Sequence, residues 1–466
     1  MTGRKRGMIM NRQAYIKPTL GAAAFAAVFC YFLEVLLSVP FVEYAYSLIA
    51  GVLLVASMPV MPPLNRRVVY VLIAVGIALF WTYGVSWQTV WTSFGENLPL
   101  LALFLTVPLI GTYMSEAGHL HAFQQYLERQ NDKKGVPPHR LGYGVTASIG
   151  AILNLGSMPL VYGIAKESFP SFEQKRMALT VLRGFGSCML WSPYFVNMAL
   201  ILSIYDLSWG EVGPYGIVMA AVLTGLVVVF FRSSAFADDS WTVPDKEKEA
   251  NPTVSSMRTF ILFLGILLAA SFLLEALLPY NMLTIVSVFA LLYPWVWAIA
   301  RKQAASFAQS TWKHVGGSFE RLYNEIGIFV TAGFFSVALR SSDAGVWLSE
   351  AISFLSQGYM ILLIAWVVAI VMGLSAVGIH PVIIVTGLGG ALSPEIFGVG
   401  APFMAVLLLM SWMLGVQVSP FTGAILMTSH LMGTTTIQVI RKNTAFILSA
   451  AVVLSLVLFI LGETVM

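Results

Sequence analysis

The sequence predicts an all-α integral membrane protein with about 11 transmembrane helices and two re-entrant hairpins, arranged as two inverted repeats with broken helices. The first observation is composition: of 466 residues, 58% are hydrophobic and only 10% are charged, with a mean hydropathy of +0.82. That is more apolar surface than one water-soluble core can bury. The second is the placement of Lys and Arg in short loops, and the third is a pair of proline motifs that recurs in both halves.

Long apolar stretches mark the clearest spans. Residues 68–85, 215–231, 259–278 and 444–461 are almost free of charge and each reaches the length, about 17 to 20 residues, that crosses the hydrocarbon core as a helix. The N-terminus is basic, and the apolar run that begins near Leu20 is interpreted as the first transmembrane helix rather than a signal peptide. The two cysteines lie far apart in sequence and predict neither a disulfide framework nor a metal site.

The positions of Lys and Arg predict the orientation. With the N-terminus in the cytoplasm, the loop 114–140, the linker 232–258 and the loop 300–321 all lie inside, and the C-terminus lies outside. All but two of the 26 Lys and Arg are then cytoplasmic, and the exceptions, Arg183 and Arg340, lie within or at the edge of spans. We therefore expect a multi-pass protein of the cytoplasmic membrane.

The predicted domains follow from this topology. The segment after the loop 114–140 is rich in glycine and is followed by cations, so a hairpin that returns to the cytoplasm keeps those cations inside. The domains are N-terminal scaffold helices (1–96), a first repeat (97–231) with a cytoplasmic-side hairpin (141–170) and a helix broken at 191–193, a cytoplasmic linker (232–258), scaffold helices and a loop (259–321), and a second repeat (322–466) with an outside hairpin (358–395), a helix broken at 418–420 and the final helix.

Two short motifs recur in the same order in the two repeats. Gly156 to Pro159 matches Gly378 to Pro381 as Gly-x-x-Pro within a hairpin, and Ser-Pro recurs at 192–193 and 419–420 within long apolar spans. The predicted topology runs the two units in opposite directions through the membrane. Glycine and proline are common in membrane helices, so one Ser-Pro alone would indicate little, but interrupted helices in corresponding positions of inverted repeats are typical of transporter sites.

At these four motifs the chain resembles the ion transporter superfamily, which includes divalent anion–sodium symporters, citrate and arsenite carriers, and sodium–proton antiporters. The divalent-anion symporters carry Ser-Asn-Thr at their hairpin tips, and this chain has Gly-Ser-Met-Pro and Gly-Ile-His-Pro there. The resemblance therefore holds for the superfamily and not for one of its families. It implies an elevator-like movement of a hairpin-bearing domain against a dimeric scaffold, driven by sodium or protons.

The candidate site consists of polar residues at the hairpins and helix breaks, where unpaired backbone N–H groups can bind an anion and carbonyls can bind sodium. For many of these residues the alternative is an ordinary bond to the residue's own helix. The predicted substrate-binding residues are Asn154, Gly156, Ser157, Ser187, Ser192 and Asn197 in the first repeat, and Ser375, Gly378, His380, Thr386, Gln417, Ser419 and Thr422 in the second. The predicted helix breaks are Pro159, Pro193, Pro381 and Pro420. The carbonyls of Asn154, Gly156, Ser375 and Gly378 are candidate ligands for sodium.

Few charged residues fall near this site. His380 either couples protons or holds its hairpin tip as a neutral hydrogen-bonding group. Arg183 either attracts the substrate or, as we expect, snorkels to the cytoplasmic interface. The carboxylates in or near spans lie outside the hairpins and the Ser-Pro breaks, which counts against an antiporter based on carboxylates. They are Glu34, Glu43, Glu275 and Glu325.

The sequence favours transport over catalysis, because it has no nucleotide loop, hydrolase motif, or acidic metal-binding cluster of the kind that a membrane enzyme using an isoprenoid or sugar-phosphate donor would need. We expect a cation-coupled secondary transporter for a small, anionic solute. The alternatives are a sodium–proton antiporter of the same superfamily and a polyprenyl phosphate flippase. The expected partners are the lipid bilayer, a small anion or lipid phosphate, and a second copy of the chain in a homodimer. We expect no nucleic-acid partner and no cofactor apart from Na⁺ as a coupling ion.

Overall fold

The fold is helical along nearly all of the described chain. In these residues ten helical segments are long and apolar enough to cross a membrane. The chain is therefore a multi-pass, all-α membrane protein, which confirms the sequence prediction at that level. A computed structural model describes residues 2–39, 41–125, 138–168, 172–231, 241–242 and 256–464.

In the first half of the chain, the described residues form ten helices and a further short helical stretch at 119–125. A 3-10 turn at Ser93–Gly95 follows the fourth helix, and another, Asn154–Gly156, follows the sixth. The helices are α1 (Thr2–Leu37), α2 (Val42–Ser57), α3 (Pro63–Thr82), α4 (Trp87–Thr92), α5 (Leu98–Glu116), α6 (Pro138–Leu153), α7 (Ser157–Ser168), α8 (Gln174–Met189), α9 (Val196–Tyr205) and α10 (Trp209–Phe230).

A small exception to the helical fold is an antiparallel pair of two-residue strands, β1 (Phe172–Glu173) and β2 (Trp241–Thr242). The second half of the chain is otherwise helical where it is described. Most of the predicted linker 232–258 lies outside the described residues. The remaining helices are α11 (Met257–Leu277), α12 (Met282–Ala300), α13 (Ala304–Arg340), α14 (Ala344–Ser356), α15 (Met360–Ala376), α16 (Pro381–Ala391), α17 (Ala401–Val418), α18 (Gly423–Met432) and α19 (Thr436–Thr464).

Residues 300–321 are mostly not the loop that the sequence predicts. The chain is helical from Ala304, and α13 continues without a break for 37 residues. Its length of about 55 Å exceeds the roughly 30 Å of a bilayer's hydrocarbon core. The cations and the Gly316–Gly317 pair make this stretch look like a loop, but α13 contains no proline and packs along α1, α2 and α3.

The helices form two compact units. Unit 1 comprises residues 1–113 and 287–345, and unit 2 comprises residues 114–286 and 346–466. In unit 1, helices α1, α2, α5 and α13 share a buried apolar cluster that includes Ala24, Leu53 and Phe319. Unit 2 contains both segments in which the sequence predicts hairpins and broken helices.

Within unit 2 the helix contacts come in matched pairs. If α6, α7, α8, α9 and α10 are set against α15, α16, α17, α18 and α19 in that order, most contacts have a counterpart. Helix α6 packs on α8 as α15 packs on α17, and α9 packs on α16 as α18 packs on α7. Likewise α9 packs on α17 as α18 packs on α8, while α8 meets α17 and α10 meets α19. Many contacts within and between the two segments are therefore paired, although α15–α19 and α18–α19 are examples without a counterpart of similar extent.

Candidate functional site

The first Ser-Pro motif lies between α8 and α9, in a non-helical segment that runs from Leu190 to Phe195. Proline cannot donate a backbone bond and clashes with the preceding turn, so a helix ends readily there. The buried Ser192 hydroxyl donates to the carbonyl of Ala151 in α6 and accepts from the N–H of Tyr194 at 3.2 Å. The Asn197 amide donates to the carbonyl of Met189 at 2.7 Å, which joins the start of α9 to the end of α8. The polar side chains of this interruption are thus already bonded within the protein.

The second Ser-Pro motif lies between α17 and α18, in residues 419–422. Thr422 donates to the carbonyl of Val416 at 2.8 Å, so it joins the two half-helices as Asn197 does in the first repeat. The Ser419 hydroxyl is fully buried, and among the described residues it has no hydrogen-bond partner. The two interruptions therefore differ in the state of their serine hydroxyls.

The first hairpin segment turns at Asn154–Gly156. Asn154 has a left-handed backbone with φ of 52°, which asparagine tolerates better than most residues. Its side-chain oxygen accepts from the N–H of Leu155 at 2.8 Å, and Ser157 donates to the Asn154 carbonyl at 2.7 Å. The chain is interrupted before Pro159, which is the third residue of α7. Gly156 is exposed at this turn.

The second hairpin segment turns at residues 377–380, between α15 and α16. Gly378 has φ of 103°, a conformation that a residue with a side chain rarely adopts. His380 caps α16, because its Nδ1 accepts from the N–H of Val382 at 3.3 Å, and Pro381 is the first helical residue. The Ser375 hydroxyl at the end of α15 is fully buried, and it too lacks a hydrogen-bond partner within the described part of the chain.

Glycines show which of these features lie together. A Cβ on Gly415 in α17 would stand 2.8 Å from the Ser375 hydroxyl and 3.5 Å from the Pro381 ring, so the second hairpin meets α17 one turn before Ser419. A Cβ on Gly423 would stand 2.8 Å from the side chain of Leu155, so the first turn meets the start of α18. Both predicted hairpin segments therefore contact the second interrupted helix.

Two further predicted site residues lie within helices. The Thr386 hydroxyl donates to the carbonyl of Val382 at 2.7 Å in its own helix, the ordinary alternative for a threonine in a membrane helix. Ser187 is buried in α8, next to Gly186.

A buried polar chain lies beside the second interruption, and the sequence does not predict it as a group. Arg183 Nε donates to Asn443 Oδ1 at 3.1 Å, and Asn443 Nδ2 donates to Gln417 Oε1 at 3.0 Å. The guanidinium also lies 4.3 Å from the ring centre of Phe446. Arg183 is only 2% exposed, so the expectation that it snorkels to an interface is wrong. The sequence gives no signal for Asn443, which lies 260 residues from Arg183.

Two of the four carboxylates named above, Glu34 and Glu275, have described hydrogen bonds, and Glu96 has an ion pair. Glu34 accepts from the Tyr46 hydroxyl at 3.1 Å within unit 1, and Glu275 accepts from the backbone N–H of Trp209 at 2.8 Å within unit 2. Glu96 forms an ion pair with Arg340 in unit 1. Across the described ranges, no group of three or more His, Cys, Asp or Glu side chains is positioned to hold a metal ion.

The comparisons with known proteins add no family. The chain matches no protein-family model, and no curated protein matches its sequence. The functional interpretation therefore depends on the chemistry and geometry of unit 2.

Proposed function

We propose that the chain is a secondary active transporter that moves a small anion across the cytoplasmic membrane, coupled to sodium or protons. The N-terminus would be cytoplasmic and the C-terminus outside, and transport would follow an elevator-like movement within a homodimer. The ligand would be moved and not chemically changed.

The observation that carries the proposal is the pairing of two interrupted helices within unit 2. At Gly186, α8 lies against Gln417 of α17. Further along, Ile204 of α9 and Leu408 of α17 both lie near Gly389. As the chain advances from Gly186 to Ile204, its contacts on α17 move back from Gln417 to Leu408, which supports the predicted antiparallel arrangement of the two helix pairs. Interrupted helices survive in a membrane where they line a cavity or are buried in protein, and such antiparallel pairs are typical of transporter sites.

The chemistry at the second interruption supports ligand binding. Leaving a buried hydroxyl without a partner costs about 1–3 kcal/mol, so Ser375 and Ser419 indicate a place where a ligand completes the bonding. Each hydroxyl can accept from or donate to a ligand, and with the carbonyls of Ser375 and Gly378 they are the kind of oxygen ligands that a sodium ion takes. The N-terminal end of α16, which begins at Pro381, favours negative charge.

A thermal-stability screen of the purified full-length protein tests the proposal. We expect phosphate, sulfate, succinate or citrate to raise the unfolding temperature. If sodium is the coupling ion, the rise should be larger in sodium chloride than in choline chloride. If protons are the coupling ion, the rise should instead change with pH. A ligand at 100 times its Kd stabilises the folded state by about 2.7 kcal/mol. Uptake of the same anion into liposomes should then require the corresponding ion gradient.

Serine variants localise the effect. Ser375→Ala and Ser419→Ala should weaken the stabilisation, whereas Ser411→Ala should not, because the buried Ser411 hydroxyl is bonded to the carbonyl of Leu407 in its own helix. If all three variants respond like the wild type, the site assignment is wrong. If no anion stabilises the wild type, the proposed anion transport is wrong. A pH-driven sodium flux without another solute would then indicate the antiporter.

A further inference from the structure

The polar chain Arg183–Asn443–Gln417 connects three helices next to the second interruption. Arg183 lies in α8, Gln417 lies two residues before Ser419 in α17, and Asn443 in α19 bonds to both. Asn443 and Gln417 are each fully buried. This polar chain therefore fixes the side chain of Gln417 directly before the second interruption.

The chemistry of the three side chains determines which way each amide points. A guanidinium has only donors, so Asn443 must turn its oxygen towards Arg183. Its NH₂ group then faces Gln417, which must present its own oxygen to Asn443. The NH₂ group of Gln417 is left to point away from Asn443. This orientation follows from hydrogen-bond chemistry alone and does not depend on telling nitrogen from oxygen in the coordinates.

The NH₂ group of Gln417 lies directly against α8. A Cβ on Gly186 would overlap its nitrogen, so glycine is needed at this position for the amide to reach α8. The contact of this nitrogen that the structure describes is the sulfur of Met413 at 3.3 Å, and a thioether is a weak acceptor. Gln417 thus brings a hydrogen-bond donor, with capacity to spare, between the two broken helices.

We propose that Arg183 and Asn443 are positioning residues that hold Gln417 as a hydrogen-bond donor to an anionic oxygen of the transported ligand. The inference rests on the proposed function and deepens it, since it names the side chains that would bind the negative charge of the ligand. The buried guanidinium adds a positive charge to the same cluster. A carboxylate and a phosphate share this chemistry, whether the phosphate is free or belongs to a lipid.

Two isosteric variants reverse the donor without changing the size of the side chain. In Gln417→Glu the oxygen that accepts from Asn443 remains, but an oxygen replaces the NH₂ group. In Asn443→Asp the residue can still accept from Arg183, but it now presents an acceptor to Gln417, whose amide must turn over. Because a hydrogen bond to a charged group contributes about 1.5–3 kcal/mol, each variant should weaken anion binding about tenfold or more.

The measurement is the apparent Kd of full-length protein in detergent for succinate, inorganic phosphate and farnesyl phosphate, each at constant sodium. Gln438→Glu is the matched control, because it makes the same substitution at an exposed position in α19. Sodium-dependent stabilisation without an anion should be similar in all variants, whereas a purely structural role would change it. Preference for farnesyl phosphate over the soluble anions would identify a lipid as the source of the phosphate.

Variants of Arg183 test its role through Asn443. Arg183→Lys keeps a side chain that only donates, so it should retain the orientation and stay within about threefold of wild-type affinity. Arg183→Met should lose affinity as Asn443→Asp does. Wild-type affinity in Gln417→Glu and Asn443→Asp would overturn the inference while the proposed function stands. If none of the three anions binds the wild type, both are overturned.

Discussion

At the scale of single residues, Ser192 and Ser419 show that one motif can hold the same hydroxyl in two states. Each serine precedes a proline at a helix interruption, and each is fully buried. Ser192 bonds to the carbonyl of Ala151 and to the N–H of Tyr194, so its oxygen is used within the protein. The Ser419 hydroxyl has no hydrogen-bond partner among the described residues. We infer that Ser192 has a mainly structural role and that Ser419 is available to a ligand.

Alanine at each serine should separate these roles. Ser192→Ala removes bonds to buried backbone groups and should lower the free energy of unfolding by about 1–3 kcal/mol. Ser419→Ala leaves no described group without a partner and should change stability little, while it weakens binding of the anion. Thermal unfolding with and without the anion measures both effects. If the two variants lose the same amount of stability, the inference that Ser192 is structural and Ser419 is not would be wrong.

The sequence predicts polar residues at the interruptions as binding residues, but it could not assign their partners. It placed Asn197 among the ligand-binding residues, and the structure shows its amide bonded across the interruption to Met189. It expected Arg183 at an interface because a buried cation is costly, and it had no means of finding Asn443. Which side chains meet across hundreds of residues depends on packing, which local pattern does not contain.

At the scale of helices, the two Ser-Pro motifs were a better guide than charge or proline alone, because Pro18, Pro108, Pro214 and Pro294 lie inside helices. Proline at 193 and 420 falls within non-helical segments, as its missing N–H and its clash with the preceding turn predict. Residues 304–321 carry charges and two adjacent glycines, and yet they form the start of α13. A local pattern cannot show that a neighbouring helix supports such a segment through packing.

The crossing of α1 and α13 provides a test of that support. A Cβ on Gly21 would overlap the carbonyl of Val315 and stand 3.0 Å from the Ser318 hydroxyl, so the two backbones meet closely there. Gly21→Ala should destabilise the protein by about 1–3 kcal/mol, in line with overpacking elsewhere.

Gly225→Ala in α10 is the matched control for this crossing. A Cβ there would meet nothing within 4 Å, so the helix should be unchanged or more stable by roughly 0.5–1 kcal/mol. Thermal unfolding in detergent measures both variants. If Gly21→Ala is as stable as Gly225→Ala, the close approach of α1 to α13 is not important for stability.

At the scale of the whole molecule, the matched helix contacts in unit 2 agree with an internal repeat. The repeat motifs, which are only two to four residues long, gave the correspondence between the segments, and the contacts α9–α16 and α18–α7 follow the same correspondence. The opposite orientation of the repeats in the membrane remains a prediction from the positions of Lys and Arg.

Cysteine labelling in intact cells tests that orientation. In a variant with Cys30 and Cys188 replaced by alanine, Gln88→Cys should react with a membrane-impermeant maleimide from outside. Thr435→Cys should react only after the membrane is permeabilised, because the basic residues that follow it place it inside. Both positions are exposed, so access to the protein surface is matched. Labelling of both from the same side would contradict the predicted topology.

The unequal bonding of the two interruptions also determines where binding is thermodynamically easiest. A ligand at the first interruption would have to replace bonds that Ser192 and Asn197 already make, so its gain would be offset by their loss. At the second, the hydroxyls of Ser375 and Ser419 were desolvated when the chain folded. Folding has thus already supplied the desolvation that binding normally requires, and a ligand there gains more from the same number of contacts.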